Sequence, residues 1–171
     1  MTDTRGGVSS LIDRFSNFTG HLTSWLTLLM VLVAFVIVVM RYAFGTGAIW
    51  LQESLTWMHA AVFMLGAAYT LNADEHVRVD IFYRDMSSVR KAWVDMGGVL
   101  IFLLPLCGLF VYESYNYVAA SWTIGQVSRN SGGLPFPAVP LLKSMLIIMP
   151  AAVALQGVSI MLKSVATIRR S

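Results

Sequence analysis

An all-α integral membrane fold of four transmembrane helices, with short interfacial amphipathic helices and both termini cytoplasmic, is what this sequence predicts. Three observations predict it. Of the 171 residues, 57% are apolar and only 12% charged, against roughly a quarter charged in an average soluble domain. The apolar residues gather in four long blocks instead of repeating along one face of a helix or strand, so lipid rather than a protein core must cover them. If the chain crosses four times, all of its 12 Lys and Arg except Arg41, Arg129 and Lys143 fall on one side, and the positive-inside rule makes that side cytoplasmic. An odd number of crossings spoils the split.

The same composition excludes other classes. A formal charge of +3 scattered between apolar blocks forms no basic stripe, so no nucleic-acid partner is expected. Cys107 is the single cysteine and lies within an apolar block. It cannot form an intrachain disulfide, and no Cys/His spacing resembles a zinc site. The length fits a single membrane domain, residues 1–171,.

Taken in order, the first residues carry acids and lack a compact apolar stretch with a small-residue cleavage site, so the first block is expected as an uncleaved anchor. Between Val8 and Phe18 the apolar residues Val8, Leu11, Ile12, Phe15 and Phe18 stand near helical spacing. An amphipathic surface helix leading into the first span is the expectation. The first span covers about 21–41 and ends at Arg41 and Tyr42, which suit an interface. About 20 helical residues cross a hydrocarbon layer of roughly 30 Å. Residues 43–53 are too short and polar-ended to span, and Trp50 and Leu51 are expected to rest among headgroups.

The second span, about 54–73, is less apolar and holds His59 beside Ala60, Ala61, Gly66, Ala67 and Ala68. Ala60 with Ala67, and Ala61 with Ala68, share a side on which a neighbouring helix can approach closely. A cytoplasmic loop, 74–91, follows. The third span, about 92–117, contains Pro105, which should bend it, and leaves the bilayer through an aromatic belt that includes Glu113. After the turn GGLPFPAVP the fourth span runs over about 139–163, with Lys143 near one end and Pro150 within it.

Ionisable and amide side chains near the membrane must be solvated, paired or functional. Glu53, just ahead of the second span, reads either as a capping or snorkelled carboxylate or as a contact to a basic residue of a partner subunit. A lone intramembrane histidine such as His59 is more often hydrogen-bonded across helices than a ligand. Haem would need a facing pair of histidines, whereas His21 and His76 sit at or beyond the membrane boundary. Gln156, with Ser159 and Lys163 on nearly the same helical side, is expected to meet protein rather than lipid. The loop sequence NADEHVRVDIFYRD alternates His76, Arg78 and Asp80 with Val77, Val79 and Ile81, as an extended segment with one wet side would. Ion pairing accounts for it, and Arg78 argues against a metal. No nucleophilic, phosphate-cradling or base-stacking motif occurs. With no internal repeat and no paired helix breaks, no transport site is built by this chain alone.

The stretch LQESLTWMHAAVFMLGAAYTLNADEHVRVDIFY resembles the small membrane subunit of tripartite ATP-independent periplasmic (TRAP) transporters, the DctQ-like proteins. It matches the glutamate before helix two, the small-residue helix and the His-x-Arg-x-Asp element of that family; GGLPFPAVPLLKS is similar to the family's turn before helix four. The resemblance implies a non-enzymatic scaffold subunit in the bacterial inner membrane, surrounded by lipid and binding no cofactor itself. It implies a large DctM-like membrane subunit that carries substrate and sodium, and a DctP-like periplasmic protein that delivers an organic acid or related solute. Glu53, His76, Arg78 and Asp80 match recurrent polar positions, and with Trp57 they become candidates for a subunit-interface or structural role. Two other readings remain open at this point: the membrane anchor of a respiratory enzyme binding haem or quinone, and a small oligomeric exporter.

Overall fold

The computed structural model describes residues 8–73, 83 and 85–169, and among these every regular element is helical. Helix α1 is Val8–Ala43, 36 residues long. The expected surface helix and first span are therefore one continuous rod of about 54 Å. The sequence offers no proline to break it, and Gly20 is held where Tyr69 of the next helix lies directly against its backbone. A turn ends α1: Gly45 takes a left-handed φ of 63°, which glycine adopts without steric cost, and the Thr46 N–H returns to the Met40 carbonyl at 3.1 Å.

Helix α2, Ile49–Asn72, begins five residues ahead of the expected span. Trp50 and Leu51, expected in a separate surface segment, form its first turn. Asn17 and Asn72 are hydrogen-bonded at 3.1 Å, so the start of α1 meets the end of α2 and the two run antiparallel. Ala61 and Ala68 are buried, on the small-residue side read from the sequence.

The third long helix is compound. Helix α3, Ser88–Gly98, passes through a π turn at Val99–Leu103 into α4, Leu104–Thr123. Pro105 explains the irregularity: it has no N–H to donate, and its ring would crowd the carbonyl four residues earlier. The wider turn relieves that crowding, and the Leu104 N–H reaches the Val99 carbonyl, one residue beyond the α-helical partner,. Thus Pro105 acts through an added residue in the turn.

Helix α5, Ala138–Arg169, is the hub, packing against α1, α2, α3, the π turn and α4. Small residues make this possible. A side chain at Gly157 would meet Leu103 at 2.5 Å and Val99 at 3.1 Å, so α5 closes directly on the π turn. Outside this core, large apolar side chains face outward, including Trp25, Leu29, Leu32 and Phe35 of α1 and Leu106, Leu109 and Phe110 of α4. Such a surface needs an apolar solvent.

Among the described residues, three helical stretches are long and apolar enough to cross a membrane: Ser9–Ala43, Ser88–Thr123 and Ala138–Arg169. Helix α2 has the length, about 36 Å for its 24 residues,, but Gln52, Glu53, Thr56 and His59 dilute its apolar character.

The close approach of α5 to the π turn gives a direct expectation. Gly157→Leu should force the two apart and cost about 1–3 kcal/mol, the usual range for overpacking. Its melting temperature in detergent should drop by several degrees, and an unchanged value would show that the contact does not hold the bundle.

Candidate functional site

Polar side chains concentrate at two opposite ends of the bundle, each tying helices that are distant in sequence. At one end the loop 124–137 folds over the start of α2. Glu53 accepts hydrogen bonds at one carboxylate oxygen from the Ser128 hydroxyl at 2.5 Å and the Asn130 amide at 2.8 Å, and at the other from the Leu134 N–H at 2.7 Å. A Cβ at Gly133 would lie 2.6 Å from that second oxygen. Only glycine lets the loop close so tightly on the carboxylate.

One turn further along, Trp57 donates its indole N–H to the Ala138 carbonyl at 3.1 Å. The i, i+4 spacing places Glu53 and Trp57 on one side of α2, where they grip the loop and the first residue of α5. Gln126 extends the tie by accepting from Ser121 at 2.9 Å and from Lys143 at 2.8 Å. The Lys143 ammonium also lies 3.7 Å from the centre of the Tyr117 ring, a cation–π contact. Trp122 donates to Ser144 at 2.9 Å and meets Phe136 edge-on.

At the other end a buried network joins α1, α2 and α5. Gln156 is fully buried; its amide donates to Asp13 at 3.1 Å and Asn72 at 2.9 Å, and its carbonyl accepts from Ser16 at 2.8 Å. Ser159 donates to Asp13 at 2.9 Å, and Lys163 pairs with the other Asp13 oxygen at 2.7 Å. Among the described residues no buried side-chain polar atom lacks a partner.

These arrangements have the chemistry of fasteners. The donors and acceptors satisfy one another, and among the described residues no group of three or more His, Cys, Asp or Glu could hold a metal. Of the residues nominated from sequence, Glu53 and Trp57 come together, both bonded within their own chain. His76, Arg78 and Asp80 lie outside the described residues, as does most of the loop that carries them. The Gln156, Ser159 and Lys163 side of α5 does meet protein, but its partners Asp13, Ser16 and Asn72 escaped sequence reading. They carry no motif, and only the approach of α1 and α2 to α5 reveals their role.

A model of the family described as "Tripartite ATP-independent periplasmic transporters, DctQ component" matches residues 30–167. No curated protein and no solved structure matches the chain.

The Glu53 clamp should be sensitive to acid. The Ser128 hydroxyl, then the Leu134 N–H and the Asn130 amide, hold the Glu53 carboxyl below its ordinary pKa, against a smaller opposing effect of burial. A depressed folded pKa contributes stability that is present above the unfolded value, about 4.3, and is lost as pH falls through the folded value. Melting temperatures of the wild type should therefore fall more steeply below about pH 4.3 than those of Glu53→Gln. Parallel acid limbs in the two proteins would contradict this assignment.

Proposed function

The chain belongs to the DctQ family, the small-subunit component of tripartite ATP-independent periplasmic transporters, and on that premise we propose that it is the static scaffold of such a transporter. It is a component of a transporter and not an enzyme. In the proposed assembly it holds a separate, large DctM-like subunit in the bacterial inner membrane. That subunit carries the solute with sodium, and a periplasmic binding protein delivers an organic acid or related solute to it.

The observation that most directly supports a scaffold is the distribution of polar groups. Both polar ends are engaged in joining helices of this chain, which suits a part that stays still while its partner moves. A secondary transporter commonly builds its site from repeated halves and discontinuous helices near mid-membrane; the sequence has no such repeat.

Helix α2 completes the proposal as the fourth span. It runs antiparallel to α1 and packs between α1 and α5, and its length suffices for the hydrocarbon layer. Four spans place both termini and the 74–91 loop in the cytoplasm, the side favoured by the Lys and Arg distribution. Glu53 and Trp57 then serve as structural residues at the periplasmic end. His76, Arg78 and Asp80 are proposed as cytoplasmic interface residues.

Co-expression of this chain with the large membrane subunit, followed by affinity purification through a tag on this chain, should recover both. Arg78→Glu should lower the recovered large subunit several-fold. Purification of this chain alone in a form that transports solute into vesicles would overturn the scaffold reading, and an intact, fully active complex with Arg78→Glu would remove that residue from the interface.

A further inference from the structure

The outward side of α2 is more polar than the outward side of α1, its neighbour in the bundle. Gln52, Thr56, His59, Phe63, Gly66 and Thr70 recur at i, i+4, i+7, i+11, i+14 and i+18 and fall within about 80° of one another around the helix. They run for about 27 Å along it, nearly the thickness of the hydrocarbon layer. Met58, Ala61 and Ala68 are buried on the opposite side, whereas Gln52, Thr56, His59, Phe63 and Thr70 are exposed and a Cβ at Gly66 would meet open space. Where α1 turns outward it presents Trp25, Leu29, Leu32 and Phe35, as a lipid-facing helix should. Helix α2 presents an amide, an imidazole, hydroxyls and a glycine.

The hydroxyls of Thr56 and Thr70 are satisfied by carbonyls of their own helix. Among the described residues His59 has no such partner. It stands six residues beyond Glu53, about 9 Å deeper along the axis, where hydrocarbon offers no hydrogen bond and an ionisable side chain is expected to meet protein or a wet cavity. Beside it a crevice of about 380 Å³ opens between α1 and α2, lined by Met30, Val31, Ala34, Leu55, Thr56 and His59. The crevice has room for an entering side chain, and the open space at Gly66 lets another backbone come close.

We propose that this side of α2 is the surface on which the large membrane subunit docks. One of its transmembrane helices crosses α2 closest at Gly66, places a side chain in the crevice, and supplies a hydrogen-bonding group to His59. The inference rests on the scaffold reading above and adds the place of contact. An acyl chain could fill the crevice, but it would leave the imidazole unpaired, so a protein occupant fits the chemistry better.

Two glycines make the test. A Cβ meets nothing at Gly66 or at Gly108 of α4, and replacing a helical glycine by leucine favours the helix. Gly66→Leu and Gly108→Leu are each co-expressed with the large subunit in the full chain, and a photoreactive benzoylphenylalanine is placed at Phe63 in a third variant. Gly66→Leu should reduce the recovered large subunit at least tenfold while Gly108→Leu leaves it unchanged, and the probe at position 63 should cross-link to the large subunit. If Gly66→Leu fails to fold, the cross-link alone decides. Normal recovery with Gly66→Leu, or a probe that captures only lipid or a second copy of this chain, overturns the docking surface and leaves the scaffold reading standing. Failure of the unmodified chain to recover any large subunit overturns both.

Discussion

The amide of Gln156 is the constraint on which the bundle depends. In a bilayer the hydrophobic effect does not draw one apolar helix toward another, because lipid tails are as apolar as leucine. Association must come from close packing and from polar groups that have no better partner. A single buried side chain on α5 supplies this by bonding Asp13 and Ser16 of α1 and Asn72 of α2. Each such bond adds only about 0.6 kcal/mol on average in membrane proteins, but the network as a whole selects one arrangement of three helices. Leaving any member unpaired in the interior would cost more than the bond contributes.

This fastening works because of the small residues around it. Gly157 adjoins Gln156 and admits the π turn, while Ala61 and Ala68 are buried on α2. Pro105 and Gly157 act together: the proline widens the turn, and the glycine lets α5 close on it. At the opposite end the loop closes over Glu53 because Gly133 has no side chain. Between the two ends the helices rely on packing, and their remaining surfaces are offered to lipid or to a partner.

Much of this architecture was legible from the chain. Long uncharged blocks announce helices that lipid must cover, and the DctQ-like stretch from Leu51 to Tyr83 points to the family that the match over residues 30–167 shows. Less legible were the elements that depend on tertiary contact. The surface helix expected between Val8 and Phe18 is instead the packed start of one continuous α1, since local polarity there reflects partners on α5 rather than a surface position. Asp13 and Gln156 are separated by 143 residues, and no periodicity links them. Glu53 drew attention for its place before a helix, yet its ligands come from a loop whose serine, asparagine and glycine resemble those of any turn. The polar composition of α2 was visible, but its meaning depends on which side of the helix the polar residues occupy.

The central claim is that the buried amide network makes α1, α2 and α5 one rigid unit. Amide hydrogen–deuterium exchange over residues 9–20, compared between the wild type and Gln156→Leu in detergent, tests it most directly. Loss of the amide should release the first third of α1 and speed its exchange at least tenfold, with little change in α4. Equal protection of that segment in both proteins would contradict the account.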